Sequence, residues 1–186
     1  IEDYLRKLEI PSTRVPNGKG NKANLFATVG PVEEGGVILS GHTDVVPVEG
    51  QPWDTDPFSL TKKGDRFYGR GTCDMKAFSA IALAFVPEMK NLKKPIHFAF
   101  SYDEEIGCLG APRMISELKQ HLPPPRAVIV GEPTEMKVVT AHKGIVLMTT
   151  TVTGHEAHSS QTHRGVSAVM TAAKLISWLE QRGELL

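Results

Sequence analysis

Cysteine is scarce in this chain. Cys73 and Cys108 are the only two in 186 residues, far apart and outside any Cys-x-x-Cys pair. The expectation is a reduced, cytoplasmic protein rather than a disulfide scaffold. An excess of charge of either sign is also missing, since 21 basic residues balance 21 acidic ones. Nothing global therefore argues for a nucleic-acid partner or an anionic membrane. No apolar run approaches the length of a membrane span. The opening Ile1-Glu2-Asp3-Tyr4-Leu5-Arg6-Lys7 is amphipathic and charged, unlike a signal peptide. An initiator Met is absent too, so the natural N-terminus is expected upstream. No internal repeat or low-complexity tract is visible. What remains is ordinary: 40% apolar residues, enough for a core, in a length that suits one medium domain or one domain and part of another.

Apolar runs and breakers divide the chain into alternating elements. Residues 1–9 read as an amphipathic helix with Tyr4, Leu5 and Leu8 on one face, ended by Ile10-Pro11. A turn cluster at 16–21 precedes a strand over 24–29. A second strand, 36–40, runs into Ser40-Gly41-His42-Thr43-Asp44-Val45-Val46-Pro47. Residues 48–70 read as loop. A nearly all-apolar helix over 75–85 is expected to be buried against a sheet and to stop at Pro87. Strands are expected at 95–102 and 127–130, with a helix over 111–119 between them. A β-branched strand over 145–152, a histidine-bearing loop and an amphipathic helix over 166–182 follow. One strand and one helix cannot bury each other's apolar faces, so this last part reads as an incomplete second domain. Strands alternating with helices describe an open α/β sheet, whose ligands gather beyond the carboxyl ends of the strands.

Polar residues collect at those ends. His42 and Asp44, two apart on an extended chain, point the same way. A metal-binding imidazole usually has a carboxylate or carbonyl on its other ring nitrogen. Asp74 opens the apolar helix, Asp103-Glu104-Glu105 ends one strand and Glu132 ends another. Each has an ordinary reading: a surface pair, a helix N-cap, a solvated acidic turn, a residue before proline. Three adjacent carboxylates repel one another without a cation, and strand alternation should keep Glu104 and Glu105 from facing one point. Together the donors are imidazole plus carboxylates without thiolate, which suits zinc, cobalt or manganese in a hydrolytic site. They are too many for one tetrahedral ion and suffice for two ions sharing a carboxylate.

The runs Ser40–Pro47, Tyr68-Gly69-Arg70-Gly71-Thr72-Cys73-Asp74-Met75-Lys76, Asp103-Glu104-Glu105, Gly131-Glu132-Pro133-Thr134 and Gly154-His155-Glu156-Ala157-His158-Ser159-Ser160 occur in this order. Together they resemble the di-zinc acetylornithine deacetylase / succinyl-diaminopimelate desuccinylase family. The resemblance covers nearly the whole chain. It implies an α/β, mixed-sheet, zinc-peptidase-like catalytic domain over 1–143 and the start of a smaller α+β dimerisation (lid) domain over 144–186. It also implies two divalent metals, zinc in preference to cobalt, and a homodimer. His42 would bind one metal, held by Asp44; Asp74 would bridge both; Glu132 would complete the first site and Glu105 would serve the second. Glu104 would be the general base and acid, working on a water between the metals. His158 would reach the partner subunit's site and stabilise the oxyanion. A late histidine ligand of the family has no counterpart in these residues. Thr140-Ala141-His142-Lys143-Gly144, His158-Ser159-Ser160 and Arg164-Gly165-Val166-Ser167-Ala168 look like the acetylornithine deacetylase branch. That branch removes the acetyl group from N-acetyl-L-ornithine, in the cytoplasm, as a step of arginine synthesis. The alternatives are a desuccinylase or another N-acyl-amino-acid hydrolase or peptidase of the same family, and a truncated fragment without activity. Cys73 and Ala77 stand where the family often has Ala and Gly. Cys73 is expected as a small buried residue rather than a soft metal donor.

Overall fold

The computed structural model describes residues 1–183; residues 184–186 of the expected second domain lie outside the described residues. The chain divides into two compact units, Ile1–Val138 and the residues from Val139 onward.

The first unit is built on a five-stranded mixed sheet. Its strands are β1 (Ser12–Pro16), β2 (Ala23–Val29), β3 (Val37–His42), β6 (Ile96–Ser101) and β7 (Ala127–Val130), in the order β1-β2-β6-β3-β7. Between β3 and β6 the chain makes a separate hairpin, β4 (Thr61–Lys63) and β5 (Arg66–Tyr68), turning at Gly64 with φ +63°. The pairs β1–β2 and β2–β6 are antiparallel, whereas β3 runs parallel to both β6 and β7. So β3, β6 and β7 end at one edge, and the residues after His42, Ser101 and Val130 share it.

The pleat sorts the core into two layers. Phe98 and Phe100 of β6 join Ala27 and Val29 of β2 on one face, where Leu5 of α1 (Glu2–Lys7) and Ala82 and Leu83 of α2 (Lys76–Ala84) cover them. Ala99, between the two phenylalanines, faces the other way with Phe26, Ile38 and Val15. Met114 and Leu118 of α3 (Ala111–His121) close that side. Buried Asn24 ties the layers: its amide donates to Gly110 O (2.9 Å), and its Oδ1 accepts from the Tyr102 N–H (3.3 Å).

Several expectations need correction. Ser12–Pro16 is a strand; its Ser-Thr-Arg run is polar because it is the outer strand of the sheet. The loop over 48–70 contains the β4–β5 hairpin, whose strands of three residues each are too short to show a period. Helix α2 buries Ser79, Ala82 and Leu83, while Ile81, and Phe85 just beyond its last residue, stay exposed, so it covers the sheet with one face only.

In the second unit the expected strand over 145–152 has no partner among the described residues and adopts no ladder; Ile145, Leu147 and Met148 are exposed. A β-branched segment without a neighbour gains no cross-strand hydrogen bonds, and propensity alone does not hold it. A 3-10 stretch, Ser159–Arg164, and helix α4 (Ala168–Gly183) follow, with a single antiparallel bridge between His155 and Val166. No helix of the described residues is long and apolar enough to cross a membrane.

Candidate metal centre

His42 is the last residue of β3 and is 1% exposed. Its ring is fixed from both sides. Nδ1 lies 2.9 Å from the main-chain carbonyl of Asp44, which can only accept, so Nδ1 carries a hydrogen and Nε2 is the nitrogen turned toward the acidic side chains. Asp44 therefore orients His42 chiefly through its carbonyl, with its Oδ1 at 3.5 Å from Nδ1. The carboxylate does something else as well: Oδ2 accepts the Glu105 N–H at 3.1 Å and pins the start of the acidic turn. Asp44 Oδ1 is buried with no hydrogen-bond partner among the described residues.

Asp74 meets Nε2 at 3.0 Å. It is not the N-cap of α2, which starts at Lys76 and has no side-chain cap. It sits instead in a turn, Gly69–Asp74, before a cis Asp74–Met75 peptide. That turn is docked by Met75, fully buried, whose Sδ receives the His42 N–H at 3.3 Å. Gly41 permits the approach, since a Cβ there would lie 2.9 Å from Ser79 Oγ and 3.0 Å from Met75 Cε.

Glu132 follows β7 and brings Oε1 to 4.0 Å from His42 Nε2. A side chain on Gly131 would run into the Phe78 ring, so glycine lets α2 and the end of β7 close together. His42, Asp74 and Glu132 each offer one atom within 4.8 Å of the others.

The acidic turn after β6 starts at Asp103, whose φ of +54° breaks the strand, and Lys22 holds its carboxylate at 2.6 Å. Glu104 and Glu105 are thus separated by a turn and not by the strand pleat. Glu104 Oε2 lies 3.9 Å from His42 Nε2, while Glu105 lines a cavity of about 260 Å³ with Asp74, Cys73, Arg70, Tyr68 and Trp53. Cys73, on the turn that carries Asp74, is exposed and is not the buried filler expected of it.

Crowding shows in the electrostatics. Burial, then the charges of Asp74 and Glu104, raise the Glu132 carboxyl above its ordinary value, against an opposing pull from His42. Burial and the Asp74 charge likewise raise Glu105. For His42, burial is the largest single influence and lowers the pKa. The Asp74 hydrogen bond, the Asp44 carbonyl and the Asp44 and Glu104 charges together outweigh it, leaving the imidazole raised. A set of carboxylates that resist ionising together around one imidazole is matched by a divalent cation, which removes the repulsion and can take a donor atom from each of His42, Asp74 and Glu132.

His158 lies in the second unit. Its Nδ1 accepts the Ser160 N–H at 3.3 Å and sits 2.8 Å from Ser160 Oγ, which leaves Nε2 to carry the proton of the neutral ring.

The sequence pattern of peptidase family M20/M25/M40 matches residues 38–183. The chain is 39% identical over 189 residues to the acetylornithine deacetylase of Pasteurella multocida, covering 100% of this chain and 48% of that protein. It is 42% identical over 150 residues to that of Aliivibrio fischeri, covering 80% and 39% respectively. It thus spans about half or less of the length of these curated relatives. Among solved structures, a tripeptidase from Staphylococcus aureus superposes with a TM-score of 0.60 at 21% identity, over 95% of this chain and 48% of that one, which speaks for the fold. With the mixed sheet, the His42–Asp74–Glu132 cluster and the ordered motifs all in place, the chain belongs to peptidase family M20/M25/M40.

Proposed function

We propose that the protein carrying this chain hydrolyses N-acetyl-L-ornithine to L-ornithine and acetate, a cytoplasmic step of arginine synthesis. The observation that supports this is the cluster of His42, Asp74 and Glu132. It occurs in a chain 39–42% identical to proteins named acetylornithine deacetylase. His42, Asp74 and Glu132 would hold the first of two divalent ions, zinc or cobalt, with Asp74 shared and Glu105 serving the second. Ions bound there supply Lewis-acid polarisation of the amide carbonyl and a water of lowered pKa.

The protein's own groups carry the proton traffic. Glu104, its Oε2 3.9 Å from His42 Nε2, takes a proton from the attacking water and returns it to the leaving amine. Asp44 keeps His42 in the tautomer that presents Nε2 inward, and it fixes the Glu105 main chain. His158, with Nε2–H available, donates to the developing oxyanion. It does so across a homodimer whose contacts begin in the second unit, the start of a dimerisation domain.

The test is amine release from N-acetyl-L-ornithine by the full-length gene product, with zinc or cobalt and then with chelator. N-succinyl-diaminopimelate runs in parallel. Metal-dependent turnover of the acetyl substrate is expected. Preference for the succinyl substrate would keep the site assignments and overturn the substrate.

A further inference from the structure

The segment after His42 and the turn that carries Asp74 meet outside any regular element: residues 43–60 contain neither helix nor strand, and 69–75 form a turn. Two ligands that must stay 3.0 Å apart therefore depend on side chains to keep their segments together. Besides Met75, which reaches the His42 N–H, one further side chain spans the gap. Arg70 donates from Nη2 to Pro47 O at 3.4 Å and to Gln51 Oε1, and its guanidinium lies over the Trp53 ring, 5.2 Å from the centroid. Trp53 Nε1–H donates to the same Gln51 Oε1 at 3.2 Å, so plane and acceptor are held for each other. The Arg70 main-chain N–H reaches Pro57 O at 2.7 Å, fixing the turn to the far end of the same loop. Packing reports the same junction independently: a Cβ on Gly71 would fall 2.9 Å from Val45 Cγ1.

We infer that Arg70 is a positioning residue, bracing the loop that follows His42 and Asp44 against the turn that presents Asp74. It stands four residues before Asp74 and its acceptor Pro47 three after Asp44, and it makes none of the close contacts to the cluster. Both side-chain hydrogen bonds leave from Nη2 while the flat guanidinium covers Trp53, and that stacking face is what a lysine ammonium does not reproduce. Hydrogen bonds this near the surface add little to global stability. Ligand placement is more sensitive: loss of a group bonded directly to a metal ligand costs about 10–100-fold in affinity, and Arg70, one step further out, is expected at the lower end of that range.

This inference rests on the metal-centre reading and not on the identity of the acyl group. The test is cobalt titration of the metal-free full-length protein, followed by its visible absorption band, with urea unfolding of the same metal-free samples. Arg70→Met is expected to weaken cobalt binding about 10-fold and to shift the band, with nearly unchanged metal-free unfolding. Arg70→Lys should recover less than half of that loss on a logarithmic scale. Should Arg70→Met not fold, Trp53→Leu leaves Arg70 in place, removes its stacking plane and the hydrogen bond that holds Gln51, and is expected to weaken binding in the same direction. Wild-type affinity in Arg70→Met or, where that variant does not fold, in Trp53→Leu overturns the inference, as does full rescue by lysine. A wild type that holds no cobalt overturns the metal-centre reading and this inference together.

Discussion

Gly41→Ala adds one methyl group at the place where α2 docks on β3. The backbone there is not left-handed, so the cost is one of space. The new Cβ would meet Ser79 Oγ at 2.9 Å and Met75 Cε at 3.0 Å, against about 3.5–4.0 Å for relaxed carbon contacts. Both neighbours belong to the α2 entry, and since Ser79 is buried and Met75 fully buried, their side chains have little room to turn and the strain passes to the helix as a shift of about 0.5–1 Å. Overpacking of this kind costs about 1–3 kcal/mol. The same displacement draws Asp74 from His42, because Met75 is the next residue and its Sδ contacts the His42 N–H. Ser79 Oγ is buried with no partner among the described residues, so Ser79→Ala alone should be neutral or slightly stabilising. It also removes the tighter of the two clashes. In a double-mutant cycle by urea unfolding, Gly41→Ala/Ser79→Ala should recover about 0.5–1 kcal/mol relative to the sum of the singles. Cobalt affinity should fall in Gly41→Ala and return in part in the double variant. Additive unfolding energies, or Gly41→Ala with wild-type stability, would refute the packing argument.

Asp74→Asn preserves shape but removes the charge nearest His42 Nε2; metal affinity measured by competition with a chelating dye should drop more than about 100-fold, beyond the effect of an outer partner. Glu104→Gln should keep metal stoichiometry while kcat falls by about 10²–10⁴, as for loss of a general base, and near-wild-type turnover would remove Glu104 from the mechanism. His97 is 1% exposed, bonded through Nδ1 to Thr28 Oγ1 at 2.8 Å, and burial lowers its pKa below the ordinary 6.5. The unfolded chain then binds the extra proton first, so stability from this group is complete above about pH 6.5 and is lost as pH falls below it. His97→Gln should flatten the dependence of the urea midpoint below about pH 6.5, and an unchanged slope would assign that dependence to other groups.

The donor set was legible because its residue types are individually costly to crowd. His42, Asp74 and Glu132 stand at ends of apolar runs, and the structure gathers them. Apolar periodicity located β2, β3, β6, β7 and both flanking helices, since each buries one face against a sheet. It was silent on β1, which is polar and outermost, and on β4 and β5, which are too short to carry a period. The route by which Asp44 holds His42, through the carbonyl, was not legible either: a side chain's identity does not say whether its main chain does the work. The segment over 145–152 failed the other way, having the composition of a strand with no partner to pair with among the described residues. The Arg70 brace had no pattern to betray it, since Pro47, Gln51 and Trp53 become its partners only when the loop folds back.

The mixed sheet also sets an order of assembly. Strands β1 and β2 are joined by a short turn and close a small loop, whereas β3 must wait for β6 and β7, which lie beyond whole helices in sequence. Loop closure of that span is entropically slower, and parallel pairing comes late in folding. His42, Asp74 and Glu132 are brought together only once both crossovers are complete. Cation uptake in a refolding experiment is therefore a clock for the last step of the sheet, blind to the hairpin that forms first.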